Sequence, residues 1–285
     1  MAAPSPDIES VSQIRLPPTR VIVAAGVLAA IVIGAAGADW LAPYPFDEMH
    51  LADRLHRPSF IYLAGTDEYG RDVLSRTLFG GRLSLFLGAA ATAIGLAAGV
   101  PLGLLAGYCR GVIDELLMRM LDVVMSFPAL LLVLLIIAVT PPGLAKTALA
   151  VGILFVPPIA RVTRSVTLDL MTREFIVAAR ARGERLSYIL WRELLPNTWP
   201  AIVVEGSLRV AFAILLGAVL SFLGFGVQPP AADWGLMINN SRDFVETAPW
   251  MAVAPGMAMS LTVIAVSVLG DGLREYLDPK LRHRR

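Results

Sequence analysis

An all-α fold is what the sequence predicts, in the form of a polytopic transmembrane helical bundle, and three observations carry that prediction. Hydrophobic residues fill 56% of the 285 positions and charged residues only 16%. An ordinary soluble domain carries roughly 25% charged residues, so this chain lacks the polar surface of a water-soluble globule. Six apolar stretches each approach the length of about 20 residues that crosses a hydrocarbon core of about 30 Å. Arginines gather in two of the segments that follow them, which gives the bundle a direction.

The six stretches are residues 21–38, 83–108, 116–139, 144–162, 201–224 and 250–269. The first follows Arg15 and Arg20 and ends in Ala36-Gly37-Ala38, a pattern shared with secretory cleavage sites. Its apolar run exceeds the roughly 7 to 15 residues of a signal core, and more spans follow, so it reads as a membrane helix. Residues 1–16, with Pro4, Pro6 and several serines, read as a disordered leader. Segment 39–82, interrupted by Pro43, Pro45 and Pro58, reads as a short extracytoplasmic excursion with local helix near residues 72–79. The stretch at about 164–200 holds Arg164, Arg173, Arg180, Arg182, Arg185 and Arg192, and the tail holds Arg274, Lys280, Arg282, Arg284 and Arg285. Both belong in the cytoplasm by the positive-inside rule. Segment 225–249, with Arg242 against Asp233, Asp243 and Glu246, suits the outer side. Six spans with both termini inside satisfy these charges. The chain divides into an N-terminal region, residues 1–80, with the first helix and the excursion, and a five-helix core, residues 81–285.

In the second span Gly95, Gly99, Gly103 and Gly107 recur every fourth residue and form one nearly flat helical face. Such a face lets a neighbouring helix approach closely, either at the heart of the bundle or at a subunit interface. Pro101 in the same run predicts a kink. In the segment after the fourth span, Phe175, Ala179, Leu186, Leu190 and Leu194 form an apolar stripe, with arginines and glutamates over much of the remaining surface. Gly183 predicts a bend between two short helices, and Pro196 predicts the end of the second. A basic amphipathic helix in this place fits either anionic lipid or a partner protein.

Four further readings are local. Residues 65–76 read as a solvated turn capped by Thr66 or Asp67, or else as a surface for substrate or a binding protein. Gln228-Pro229-Pro230 predicts a rigid outer turn, and Trp234 and Trp250 fall where aromatic belts form. Asp122 is the acid to watch at membrane depth, with Arg119 three residues before it as its expected partner. Sparse mid-membrane charge otherwise argues against an ion-driven secondary carrier.

Catalytic constellations are missing. Cys109 is the sole cysteine, and His50, His56 and His283 are scattered. Nothing matches the glycine-rich phosphate loop, since Ala145-Lys146-Thr147 has alanine where that loop needs glycine. The chain therefore reads as a non-enzyme that binds no cofactor or metal of its own.

Ala178-Ala179, then Gly183, then Leu195-Pro196 resembles the cytoplasmic signature loop of permease subunits of bacterial ABC importers. Val177 departs from that pattern, standing where the family usually has glutamate. Gly65-Thr66-Asp67 with Gly70-Arg71-Asp72, the run from Ser221 to Pro230 followed by Trp234-Gly235, and Leu269-Gly270-Asp271-Gly272 resemble the C-type permeases of the dipeptide, oligopeptide and nickel group. The resemblance implies the type I ABC importer permease fold in a bacterial inner membrane. It implies that Phe175, Ala178, Ala179, Gly183, Leu186, Leu195 and Pro196 couple the chain to an ATPase subunit. The implied partners are a homologous permease completing a heterodimer, two ATPase subunits or one fused ATPase, an extracytoplasmic solute-binding protein and the lipid bilayer, with no nucleic acid. ATP and Mg would be bound by the ATPase subunits. The implied cargo is a di- or oligopeptide, with nickel or another small solute as the alternative.

Overall fold

The computed structural model describes residues 19–139 and 143–277. The leader and the tail beyond Leu277 therefore lie outside the described residues. In chain order the helices are α1 (Thr19–Ala36), α2 (Ala38–Leu41), α3 (Val73–Cys109), α4 (Gly111–Met125), α5 (Ala129–Ala138), α6 (Leu144–Leu170), α7 (Glu174–Ala181), α8 (Leu186–Tyr188), α9 (Leu195–Phe222), α10 (Trp234–Ser241) and α11 (Trp250–Leu277).

The centre of the bundle is the pairing of α3 with α6. An added Cβ on Gly95 would lie 2.7 Å from Phe155 Cβ, on Gly99 2.9 Å from Ile159 Cβ, on Gly103 2.6 Å from Thr163 Cβ and on Gly107 2.7 Å from Thr167 Cβ. Each glycine thus receives one α6 side chain, in constant register along two helices that run parallel. The stripe serves the heart of this chain's own bundle, where close backbone approach gains van der Waals contact that lipid would not drive. Gly152 on α6 returns the contact, its missing Cβ leaving room for Ile94. α9 packs antiparallel to α3, with Gly88 against Ile214 and Gly206 against Leu96. Both α3 and α6 continue as helix through Pro101 and the Pro157-Pro158 pair.

The third predicted span is not a straight helix. α4 and α5 meet at 84° across Ser126-Phe127-Pro128, where proline removes a donor and disfavours helical geometry in the residue before it. With only 10 residues, α5 extends about 15 Å, half of a bilayer core. Parallel α3 and α6 nevertheless require the chain to return to the opposite end between them, so the bent pair makes one crossing together. Six crossings then bring the start of α1 and the end of α11 to the same side. Arg20 of α1 accordingly pairs with Glu275 of α11, and Gly272 leaves room for Val21.

Two predicted limits move. The local helix near residues 72–79 and the second span are one helix, α3, of 37 residues. Its N-cap is Asp72, whose Oδ2 accepts from Ser75 N at 2.8 Å and from Ser75 Oγ at 2.7 Å, and neither Thr66 nor Asp67 has that role. Pro196 does not end a helix either. The ladder widens to a π turn over Ile189–Leu194, so the Arg192 carbonyl that a proline four residues later would crowd lies in the widened turn, and the chain continues into α9.

Candidate functional site

Three groups of polar or exposed residues stand out, one at each end of the bundle and one within it. At the first end α7 hangs from the last turn of α6. Ile176 and Ala179 are fully buried on its inner side, and the Arg180 guanidinium stacks over Tyr108 at the end of α3, 4.7 Å from the ring centre. The helix stops in a Schellman arrangement. Gly183 N donates to Arg180 O at 3.0 Å and Glu184 N to Ala179 O at 3.2 Å, with Gly183 at φ +72°, a conformation glycine adopts without strain. The outer side of α7 is bare: Val177 is 56% exposed, and Phe175 and Ala178 are exposed beside it. Past the bend, Gly183, Glu184, Arg185, Ser187, Tyr188, Trp191 and Arg192 line an open concavity of about 520 Å³.

The predicted apolar stripe is therefore divided. Ala179 and Leu194 are buried and Leu190 half-buried, but Phe175 and Leu186 turn outward; of the two signature residues that follow the stripe, Leu195 is half-buried and Pro196 exposed. Ile176 and Ile189 take the buried places. A bend followed by a widened turn resets the phase of the second helix, so one 3.6-residue period cannot run through both.

At the opposite end, residues 65–76 fold into a mostly buried polar network, with Tyr69 exposed at its surface. Asp67 Oδ1 accepts from the backbone of Tyr69 and Arg71, each at 2.9 Å, and its Oδ2 takes Arg71 Nε at 2.6 Å. Arg76 lies 3.6 Å from the same oxygen and donates to Phe46 O at 2.7 Å. Asp67, Arg71, Asp72 and Arg76 are all buried. Burial holds the Glu68 carboxyl above its ordinary range, and the charge of Asp67 pushes the same way. Gly65 at φ +74° sits 2.5 Å from Trp250 by its would-be Cβ, and Trp250 Nε1 donates to Thr66 O at 3.1 Å. The would-be Cβ of Gly70 meets the His50 carbonyl. Trp234 is likewise no belt residue: it is 1% exposed, lies against Gly80 and Gly81, and donates to Thr77 O at 2.9 Å. Trp234 fastens α10 to the start of α3, and Trp250 fastens the start of α11 to the loop before it.

On α4, where the Glu115, Arg119 and Asp122 side chains are largely exposed, Asp122 does not pair with Arg119. Three positions on a helix bring those two close, but Arg119 turns to Glu115 at 2.5 Å, while Asp122 crosses to Arg161 of α6. Asp114 makes a two-pronged pair with Arg164, at 2.5 and 2.6 Å. A further pair, Glu205 with Arg209, lies inside α9. Sequence reasoning that watches Asp122 alone misses it, although its signal is plain: opposite charges four residues apart in an apolar run.

A helical bundle with parallel central spans, a bare bent helix at one end and a sealed polar cap at the other defines a multi-pass membrane protein of the permease class. Comparison with known proteins agrees. Residues 99–283 match the family model described as the binding-protein-dependent transport system inner membrane component, and the chain belongs to that family. It is 40% identical to the di/tripeptide transport system permease protein DppC of Pseudomonas aeruginosa, over 89% of this chain and 86% of that one. It is 42% identical to the glutathione transport system permease protein GsiD of Pectobacterium atrosepticum, over 92% of this chain and 88% of that one. Among solved structures, an inward-facing MetNI methionine ABC transporter matches with a TM-score of 0.60 at 18% identity, over 71% of this chain and 96% of that one, a likeness of fold.

Proposed function

We propose that this chain is a permease subunit of an ATP-driven importer of di- or oligopeptides, that it forms half of the translocation pathway, and that it supplies no catalytic residue. Relatives named for di/tripeptide and glutathione transport, similar over nearly the whole chain, support a peptide as the cargo. The mode of energy input is carried by one observation. α7 is fastened to the bundle by Ile176, Ala179 and the Arg180 stack on Tyr108, while its opposite side is bare.

A helix fixed on one side and bare on the other suits a rigid handle for an ATPase subunit, which holds ATP and Mg. A homologous permease completes the pathway, and an extracytoplasmic binding protein delivers cargo to the cap end. Val177 makes the contact on α7 one of apolar packing where the family more often offers a carboxylate. Alternating access is then a two-state equilibrium that nucleotide biases through the ATPases.

The test is crosslinking in the assembled complex. Val177→Cys in a Cys109→Ala background is expected to capture an ATPase subunit, and uptake of trialanine into proteoliposomes to require ATP. Capture of lipid alone, or uptake that survives ATP removal and collapses with an uncoupler, would overturn the reading in favour of an ion-driven carrier.

A further inference from the structure

Near the middle of α9, in an otherwise apolar part of the helix, Glu205 and Arg209 sit one turn apart. Arg209 Nε donates to Glu205 Oε1 at 2.6 Å, and Nη2 reaches the same oxygen. The guanidinium carbon lies 5.6 Å from the ring centre of Phe155 on α6 and 5.8 Å from that of Phe212. Arg164 occupies both oxygens of Asp114. Arg209, like the exposed Arg119 with Glu115, does not, and it lies in an apolar helix. Of the five N–H donors of an arginine, those it uses converge on a single carboxylate oxygen, and none of its nitrogens is among the polar atoms buried without a partner.

The Arg209 side chain keeps 22% of its surface accessible against 11% for Glu205. Charge at membrane depth faces a bundle interior or a water-filled cavity rather than lipid. The accessible side of Arg209 therefore looks onto the aqueous path or onto a subunit that encloses it.

We propose that Arg209 is a carboxylate-recognising group within the translocation pathway. Its unused donors bind a carboxylate of the passing solute beside the exposed ring of Phe212, and Glu205 orients the guanidinium. Because Arg209 is the more accessible partner of the pair, the side the solute meets stays positive, while the Glu205 carboxylate beneath it weakens the hold on the anion. The inference rests on the peptide reading above, since every unmodified peptide carries a terminal carboxylate and acidic peptides carry more.

The experiment uses the complete complex in proteoliposomes at saturating binding protein, with trialanine, trialanine amide and the amide of Ala-Glu-Ala as probes. Replacing both charges together, Arg209→Gln with Glu205→Gln, avoids an orphaned buried charge. It is expected to lower the maximal uptake of trialanine about tenfold, the loss of one charge-assisted hydrogen bond, and to leave trialanine amide unchanged. An equal fall for Ala-Glu-Ala amide assigns the site to any carboxylate, and no fall assigns it to the terminal one. Loss of all three probes in proportion, or of none, would overturn the proposal.

Thiol labelling separates its failure from that of the peptide reading. Phe212→Cys in a Cys109→Ala background should react faster with an anionic methanethiosulfonate than with a cationic one, and the bias should vanish in the doubly substituted protein. Equal rates, or no reaction with either reagent, would overturn the site whether or not peptide is carried.

Discussion

Gly183 stands at φ +72° with nothing within 4 Å of where a side chain would begin, so a substitution there disturbs the turn and not the packing. Gly183→Val is expected to strain the backbone by about 1–2 kcal/mol, the usual cost of the left-handed region for a residue with a Cβ. Binding-protein-stimulated ATP hydrolysis should fall while the complex still assembles. Gly183→Asn, which tolerates that region, should recover most of the activity. If the valine variant couples normally, the bend is no part of the path from nucleotide to transport. The turn was legible because it depends on one residue's own backbone. Trp234 was not, because the carbonyl it donates to belongs to Thr77, 157 positions earlier, and no local pattern carries that information. Asp67 was misjudged for a similar reason: a charged residue in a loop looks solvated until Arg71 and Arg76 are seen to enclose it.

Among the elements, the α3–α6 pairing was half legible. The four-residue glycine period identifies a flat face, but the partner helix is a tertiary fact. Gly99→Leu would drive a side chain into Ile159 and the Val156 carbonyl, each 2.9 Å from its Cβ, and overpacking of this kind costs about 1–3 kcal/mol. Its melting temperature in detergent should drop by several degrees. Gly26→Leu on α1, where nothing lies within 4 Å, should melt as the parent does, and a matching drop there would mean that the glycine contacts are not what holds the pair together. The break between α4 and α5 escaped a reading based on hydropathy, since the apolar run continues across Pro128 while the backbone does not. The phase change beyond Gly183 escaped for the related reason that a π turn has no compositional mark.

For the whole molecule, the six-crossing count rests on parallel α3 and α6 and on the meeting of Arg20 with Glu275. In the proposed orientation the arginine-rich stretch around α7 lies inside and the loop before α3 outside. In a Cys109→Ala background, Phe60→Cys, fully exposed in that loop, should react with an impermeant maleimide in intact cells. Val177→Cys should react only after the membrane is opened. The reverse order would invert the molecule and remove α7 from the reach of any cytoplasmic ATPase.

One consequence follows from α3 alone. At about 1.5 Å per residue its 37 residues form an unbroken rod of about 55 Å, far longer than the lipid core requires. Asp72 anchors one tip in the sealed cap, and Tyr108 at the other carries the Arg180 stack. A tilt of about 5° about either tip of a rod this long would swing the far one by about 5 Å. Mechanical news from one face of the membrane can thus arrive at the other through a single stiff strut, with no relay of loops between them.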